Sequence, residues 1–190
     1  MSEEKKKIVP AYMAHIVFQT KRYKEMVDWY TTVFHAEPMF ANEKLTFMTY
    51  DDEHHRFAFV NMPPECPDKD PMSPAVAHYA YTYGSADDLL STYERLKGEG
   101  IVPRWAINHW ITTSLYYADP DGTEVELQLD NHPTPEESKA VFSSEAYLAN
   151  PIGNAFDPDT LLQQFRAGKD YAQCLREAEA AADPSALPVV

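Results

Sequence analysis

The chain has 190 residues, 44% of them apolar and 24% charged, which suits a soluble globular fold with a sizeable core. Its net charge of −14 disfavours nucleic acid and anionic membranes, both of which are polyanions. The two cysteines, Cys66 and Cys174, match no zinc or redox spacing, and no apolar run approaches the roughly 20 residues of a membrane span.

The opening Met-Ser-Glu-Glu-Lys-Lys-Lys has no apolar stretch of the secretory kind. Residues 1–7 are expected to be a disordered lead-in, and the protein to be cytoplasmic. The main organising feature follows. Ala14 and His15 begin a stretch running through Met26, Val27, Tyr30 and Val33, and Ala77 and His78 begin another through Leu89, Leu90, Tyr93 and Leu96. The offset is 63 residues at each of these pairs. An internal repeat of this kind means two copies of one supersecondary unit.

Each copy opens with a β-rich run and passes into a helix, with apolar residues at i, i+1, i+4 and i+7. Ser85 is the expected N-cap of the second helix, with Asp87 and Asp88 in its first turn. Gly98 and Gly100 are expected to stop it. Three strands then follow in each copy: near 38–41, 45–50 and 56–61 in the first, and near 102–106, 113–118 and 123–129 in the second. The turn Asp119-Pro-Asp-Gly122 joins the last two. The predicted fold is therefore α+β: two tandem βαβββ modules, 8–62 and 75–131, forming a curved mixed sheet around a metal cleft. A Pro-rich linker, 63–74, joins them. Residues 132–190 form a helical C-terminal extension, with helices predicted from Pro135 to Leu148, from Asp157 through Phe165, and over about 169–182. Its placement stays open between the sheet edge, the pocket mouth and a dimer interface.

The repeat selects the candidate chemistry. His15 and His78 occupy the same register of their copies, so a pseudo-twofold axis brings them together. Glu126 lies in the last strand of the second copy. Alternation puts it on one face with Glu124 and Gln128, while Val125, Leu127 and Leu129 face the other way. A carboxylate within an apolar strand needs a partner, and a metal supplies one. Two imidazoles and one carboxylate suit Fe(II), with Mn(II) as the second candidate, and leave three octahedral positions open. A catechol takes two of these and O2 the third. The first copy's counterpart of Glu126 falls near Phe57 or Ala58, so no fourth ligand is expected. His54 and His55 lie in a polar turn and, by spacing alone, read as solvated. His109 and Tyr116 lie near the final hairpin, within reach of the open face, although Tyr116 also fits a plain sheet aromatic. His35 and His132 read as surface residues.

These residues resemble the vicinal oxygen chelate superfamily, and within it the type I extradiol ring-cleaving dioxygenases. The carriers are His15, His78 and the run Asp119-Pro-Asp-Gly-Thr-Glu-Val-Glu126, within a similarity spanning 8–131. The resemblance implies that His15, His78 and Glu126 ligate Fe(II), that His55 is the acid–base residue and that Tyr116 hydrogen-bonds substrate. His109 matches the family's second pocket histidine with its register shifted by about two residues. Many extradiol enzymes carry two such domains and this chain carries one. Trp110 places bulk beside His109. The implied activity is catechol ring cleavage with O2, the substrate a small aromatic diol, and the oligomer a homodimer. The alternatives are a glyoxalase-like lyase or isomerase of the same fold and a small-molecule binding protein without catalysis.

Overall fold

The computed structural model describes residues 8–70 and 72–183, so the expected lead-in at 1–7 lies outside the described residues. The chain divides into two compact units, Met1–Lys69 and Asp70–Val190.

In the first unit, β1 (Ile16–Thr20), α1 (Tyr23–Phe34), β2 (Glu37–Ala41), β3 (Leu45–Thr49) and β4 (Phe57–Asn61) follow in order. They make a four-stranded mixed sheet ordered β1-β4-β3-β2, with β1 and β4 parallel and the other pairs antiparallel. The apolar stripe of α1 does what its spacing requires: Met26, Tyr30 and Val33 are completely buried. Tyr30 meets Phe57 and Phe59 edge-on, with centroids 4.7 and 4.9 Å away.

The second unit repeats the plan with β5 (His78–Thr82), α2 (Ala86–Gly98), β6 (Trp105–Asn108), β7 (Thr112–Ala118) and β8 (Glu124–Asp130). The Ser85 hydroxyl caps α2 by accepting from the Asp88 amide at 3.1 Å. Leu89, Leu90, Tyr93 and Leu96 form its buried face. At the 119–122 turn, the Gly122 amide donates to the Asp119 carbonyl at 2.9 Å. Gly122 adopts φ +78°, a conformation that favours glycine. Strand β6 starts at Trp105, three residues later than predicted, because Pro103 has no N–H for a ladder.

The extension belongs to the second unit. The helix predicted from Pro135 to Leu148 is broken into α3 (Pro135–Val141) and α4 (Glu145–Ala149). Ser144 lies at the break and caps α4, its hydroxyl accepting from the Tyr147 amide at 3.2 Å. A short strand that the periodicity did not reveal, β9 (Asn154–Ala155), pairs with β6 and completes the sheet order β5-β8-β7-β6-β9. Helices α5 (Pro158–Arg166) and α6 (Tyr171–Ala181) follow. Tyr93 and Lys97 of α2 both bond Asp159, at 2.8 and 2.6 Å. Of the placements left open, the extension thus takes the sheet edge. Among the described residues no helix is long and apolar enough to cross a membrane.

Candidate active site

In the first unit, His15 is exposed and immediately precedes β1. Its ring lies 4.3 Å from that of His55 and 6.4 Å from that of His54. The two adjacent histidines meet through their Nδ1 atoms at 2.6 Å. Arg56 organises this cluster. Its guanidinium holds the Asp51 carboxylate at 2.9 Å and donates to the carbonyls of Met13 and Ala14 at 3.0 and 3.1 Å. One side chain thereby ties the 51–56 turn to the segment that delivers His15. His55 packs against Phe47, centroids 4.6 Å apart. Burial, then the neighbouring His15 and His54, lower its pKa below the ordinary imidazole value, and Glu53 partly offsets them.

In the second unit, parallel pairing sets His78 opposite Glu124 and Ala80 opposite Glu126. The side chains of His78 and Glu126 nevertheless meet, Nε2 to Oε2, at 3.1 Å. Glu126 is only 4% exposed, while Val125 and Leu127 are completely buried on the other face. Tyr116 stands directly across from Glu126 on β7 and is 3% exposed. Its ring meets His78 edge-on at 5.3 Å, and its hydroxyl lies 3.0 Å from His109 Nε2. Burial first, and then the Glu126 carboxylate, push the Tyr116 phenol far above its ordinary value, so it is a protonated donor. Four of the six predicted site residues, His78, Glu126, Tyr116 and His109, therefore form one connected group in this unit. His15 and His55 form another in the first.

The strand register identifies the first unit's counterpart of Glu126. Val17, 63 residues before Ala80, pairs with Ala58, so Ala58 holds that position and offers no ligand atom. Among the described residues, no three His, Cys, Asp or Glu side chains converge as a ready-made metal cluster. The His78–Glu126 pair and, in the first unit, His15 carry donor atoms of the kind a metal binds.

One residue escaped the sequence reading. Trp105 lies across from Tyr116 in the β6–β7 ladder and stacks on it at 3.9 Å with an interplanar angle of 13°. Its indole N–H is buried without a hydrogen-bond partner. An aromatic in a strand carries no sign of its cross-strand neighbour until register is known. Trp110, beside His109, donates its indole N–H to the Asn150 carbonyl at 2.9 Å.

The sequence profile of the Glyoxalase/Bleomycin resistance protein/Dioxygenase superfamily matches residues 12–127. The chain is 45% identical over 155 residues to biphenyl-2,3-diol 1,2-dioxygenase 2 of Rhodococcus globerulus, covering 82% of each protein. It is 41% identical over 157 residues to biphenyl-2,3-diol 1,2-dioxygenase 3 of the same organism, covering 82% of this chain and 83% of that one. Among solved structures, the fosfomycin resistance protein of Listeria monocytogenes aligns with a TM-score of 0.53 at 17% identity, covering 70% of this chain and 99% of its own. A glyoxalase/bleomycin resistance protein/dioxygenase from Alicyclobacillus acidocaldarius aligns at 0.50 and 15%, covering 65% and 95%. These last two speak for the fold alone. With a profile match spanning both modules and relatives above 40% identity over most of its length, the chain belongs to the glyoxalase/bleomycin resistance protein/dioxygenase superfamily.

Proposed function

We propose that this protein is an extradiol dioxygenase that opens a catechol-type ring with O2 at a divalent metal held by His15, His78 and Glu126. The observation that carries the activity is the 45% and 41% identity to two biphenyl-2,3-diol 1,2-dioxygenases over 82% of the chain. Their name places the cut between ring carbons 1 and 2, just outside a diol at carbons 2 and 3.

The donor set fits a metal. A carboxylate as buried as Glu126 needs a compensating charge, and its neighbour His78 offers an imidazole nitrogen beside it. Neutral imidazole and carboxylate together suit Fe(II), with Mn(II) as second choice. Ala58 withholds the fourth protein ligand on which a glyoxalase-like lyase or isomerase reading depends. Bound there, the metal supplies Lewis acidity to the diol and a path for electrons from ring to O2.

The chain's own groups do the rest. His55, with Nδ1 engaged by His54, has Nε2 left for the second hydroxyl proton of the diol. Its lowered pKa keeps it a neutral base near pH 7. Tyr116, its hydroxyl 3.0 Å from His109 Nε2, hydrogen-bonds the diol at the Glu126 side of the site, and His109 supports it. Trp105 stacks behind Tyr116 and holds its ring in place. On this reading the working form is a cytoplasmic homodimer acting on a small aromatic diol. The test is anaerobic reconstitution with Fe(II), addition of catechol and 2,3-dihydroxybiphenyl, admission of air, and measurement of oxygen uptake and visible absorbance. Oxygen consumption with the appearance of a ring-opened chromophore is expected. Metal-replete protein that consumes no oxygen with either diol refutes the proposal.

A further inference from the structure

The turn between α4 and β9 reaches the Tyr116 group at His109. The Ile152 carbonyl oxygen lies 2.5 Å from His109 Nδ1. A carbonyl only accepts, so Nδ1 must carry the proton there. Neutral His109 then keeps its lone pair on Nε2, where the Tyr116 hydroxyl sits at 3.0 Å.

The turn is built to hold that carbonyl. The Asn150 side-chain amide donates to the Gly153 carbonyl at 2.7 Å, and the Gly153 amide donates back to Asn150 Oδ1 at 3.2 Å. The Trp110 indole fastens the Asn150 carbonyl from the other side. Trp110 itself adopts φ +69°, a conformation bulky residues rarely take, and its amide donates to Asn108 Oδ1 at 2.9 Å. Gly153 has φ +98°, and a Cβ there would lie 2.0 Å from the Asn108 carbonyl oxygen. Only glycine lets the turn approach β6 this closely.

We propose that the C-terminal extension is a positioning element of the active site: the Ile152 carbonyl fixes His109 as the Nδ1–H tautomer, so that Nε2 accepts the Tyr116 proton. The chemical consequence lies at Glu126. The Tyr116 hydroxyl has one proton; His109 Nε2 lies 3.0 Å from it, and Glu126 stands across the β7–β8 pair as a second acceptor. With the opposite tautomer, His109 would donate to Tyr116, and Tyr116 would turn its proton onto Glu126 and drain charge from a proposed metal ligand. With the fixed tautomer, the Tyr116 proton points to His109 and away from the Glu126 carboxylate. The tautomer assignment stands on the hydrogen bonds alone, while its consequence for turnover rests on the dioxygenase reading.

The test uses the full-length chain labelled with 15N-histidine, His109 being identified by the signals absent from His109→Asn. Long-range 1H–15N correlation spectra are expected to show a proton on Nδ1 and a bare Nε2. Gly153→Ala and Asn150→Ala, which displace or loosen the turn, should both let the Nε2–H form appear. In the Fe(II)-loaded enzyme they should lower kcat about tenfold at unchanged iron content, as loss of an outer-shell partner does. Should Gly153→Ala not fold, Asn150→Ala decides alone, since it removes only side-chain bonds. A wild-type His109 protonated on Nε2, variants that keep the Nδ1–H form, or a shifted tautomer with unchanged kcat each overturn the proposal. An Nδ1–H signature in a chain that oxidises no catechol supports the tautomer assignment and sinks the dioxygenase reading instead.

Discussion

Tyr116→Phe is the substitution that separates chemistry from packing most cleanly. The ring is 3% exposed, stacks on Trp105 at 3.9 Å and meets His78 edge-on at 5.3 Å, and phenylalanine preserves all of that. The hydroxyl alone is lost, and His109 Nε2 loses the donor 3.0 Å away. One buried acceptor left unsatisfied costs about 1–3 kcal/mol. Taking about 2 kcal/mol, Tm should fall by roughly 4–8 °C for a protein of this size. The rate effect should be larger. Removing one positioned hydrogen-bonding group from a reacting centre lowers kcat by about 100- to 1000-fold. Oxygen uptake across a range of diol concentrations reports kcat and KM, and thermal unfolding followed by circular dichroism reports stability. The expected pattern is a mild loss of stability, unchanged iron content and a kcat reduced by two orders of magnitude or more. A variant with kcat within twofold of wild type refutes the placement of Tyr116 at the reacting atoms and leaves it a sheet aromatic.

Three further outcomes follow from the same geometry. His55→Ala should keep its iron and lose about 100-fold or more in turnover, the usual scale of acid–base catalysis; full activity removes His55 from the mechanism. Glu126→Ala should release the metal, measured by elemental analysis after gel filtration, and a variant that retains stoichiometric iron shows the ligand assignment to be wrong. The third concerns the tether of α5 to α2. Lys97, then Tyr93, hold Asp159 below its ordinary value of 3.8, so its contribution is fully present above that pH and is lost as pH falls towards the folded-state value. Both ion-pair side chains are about half exposed (45% and 56%), so Asp159→Asn should cost under about 1 kcal/mol at pH 7 and less at pH 3. Urea unfolding at the two pH values measures this, and an equal cost at both refutes the charge argument.

The residues of α1 and α2 illustrate what periodicity determines by itself. Met26, Tyr30 and Val33, and 63 residues later Leu89, Tyr93 and Leu96, are all buried, because a helix must turn its apolar stripe inwards whatever lies further along the chain. Alternation likewise assigned Glu126 to the face opposite Val125 and Leu127, and repeat symmetry led to Ala58 as its ligand-free counterpart. These are local properties of side-chain type and spacing, and one sequence suffices for them. The support around His109 is of another kind. Its Nδ1 partner is a main-chain carbonyl 43 residues away, and a carbonyl is present at every residue, so no side chain announces it. The Trp105–Tyr116 stack depends on the register of two strands, and β9 is two residues long, too short for any period. Fold class and repeat were thus settled by the sequence. The tautomer of His109, the wall behind Tyr116 and the task of the extension came only from tertiary packing, because they depend on backbone groups and register that side-chain identity does not encode.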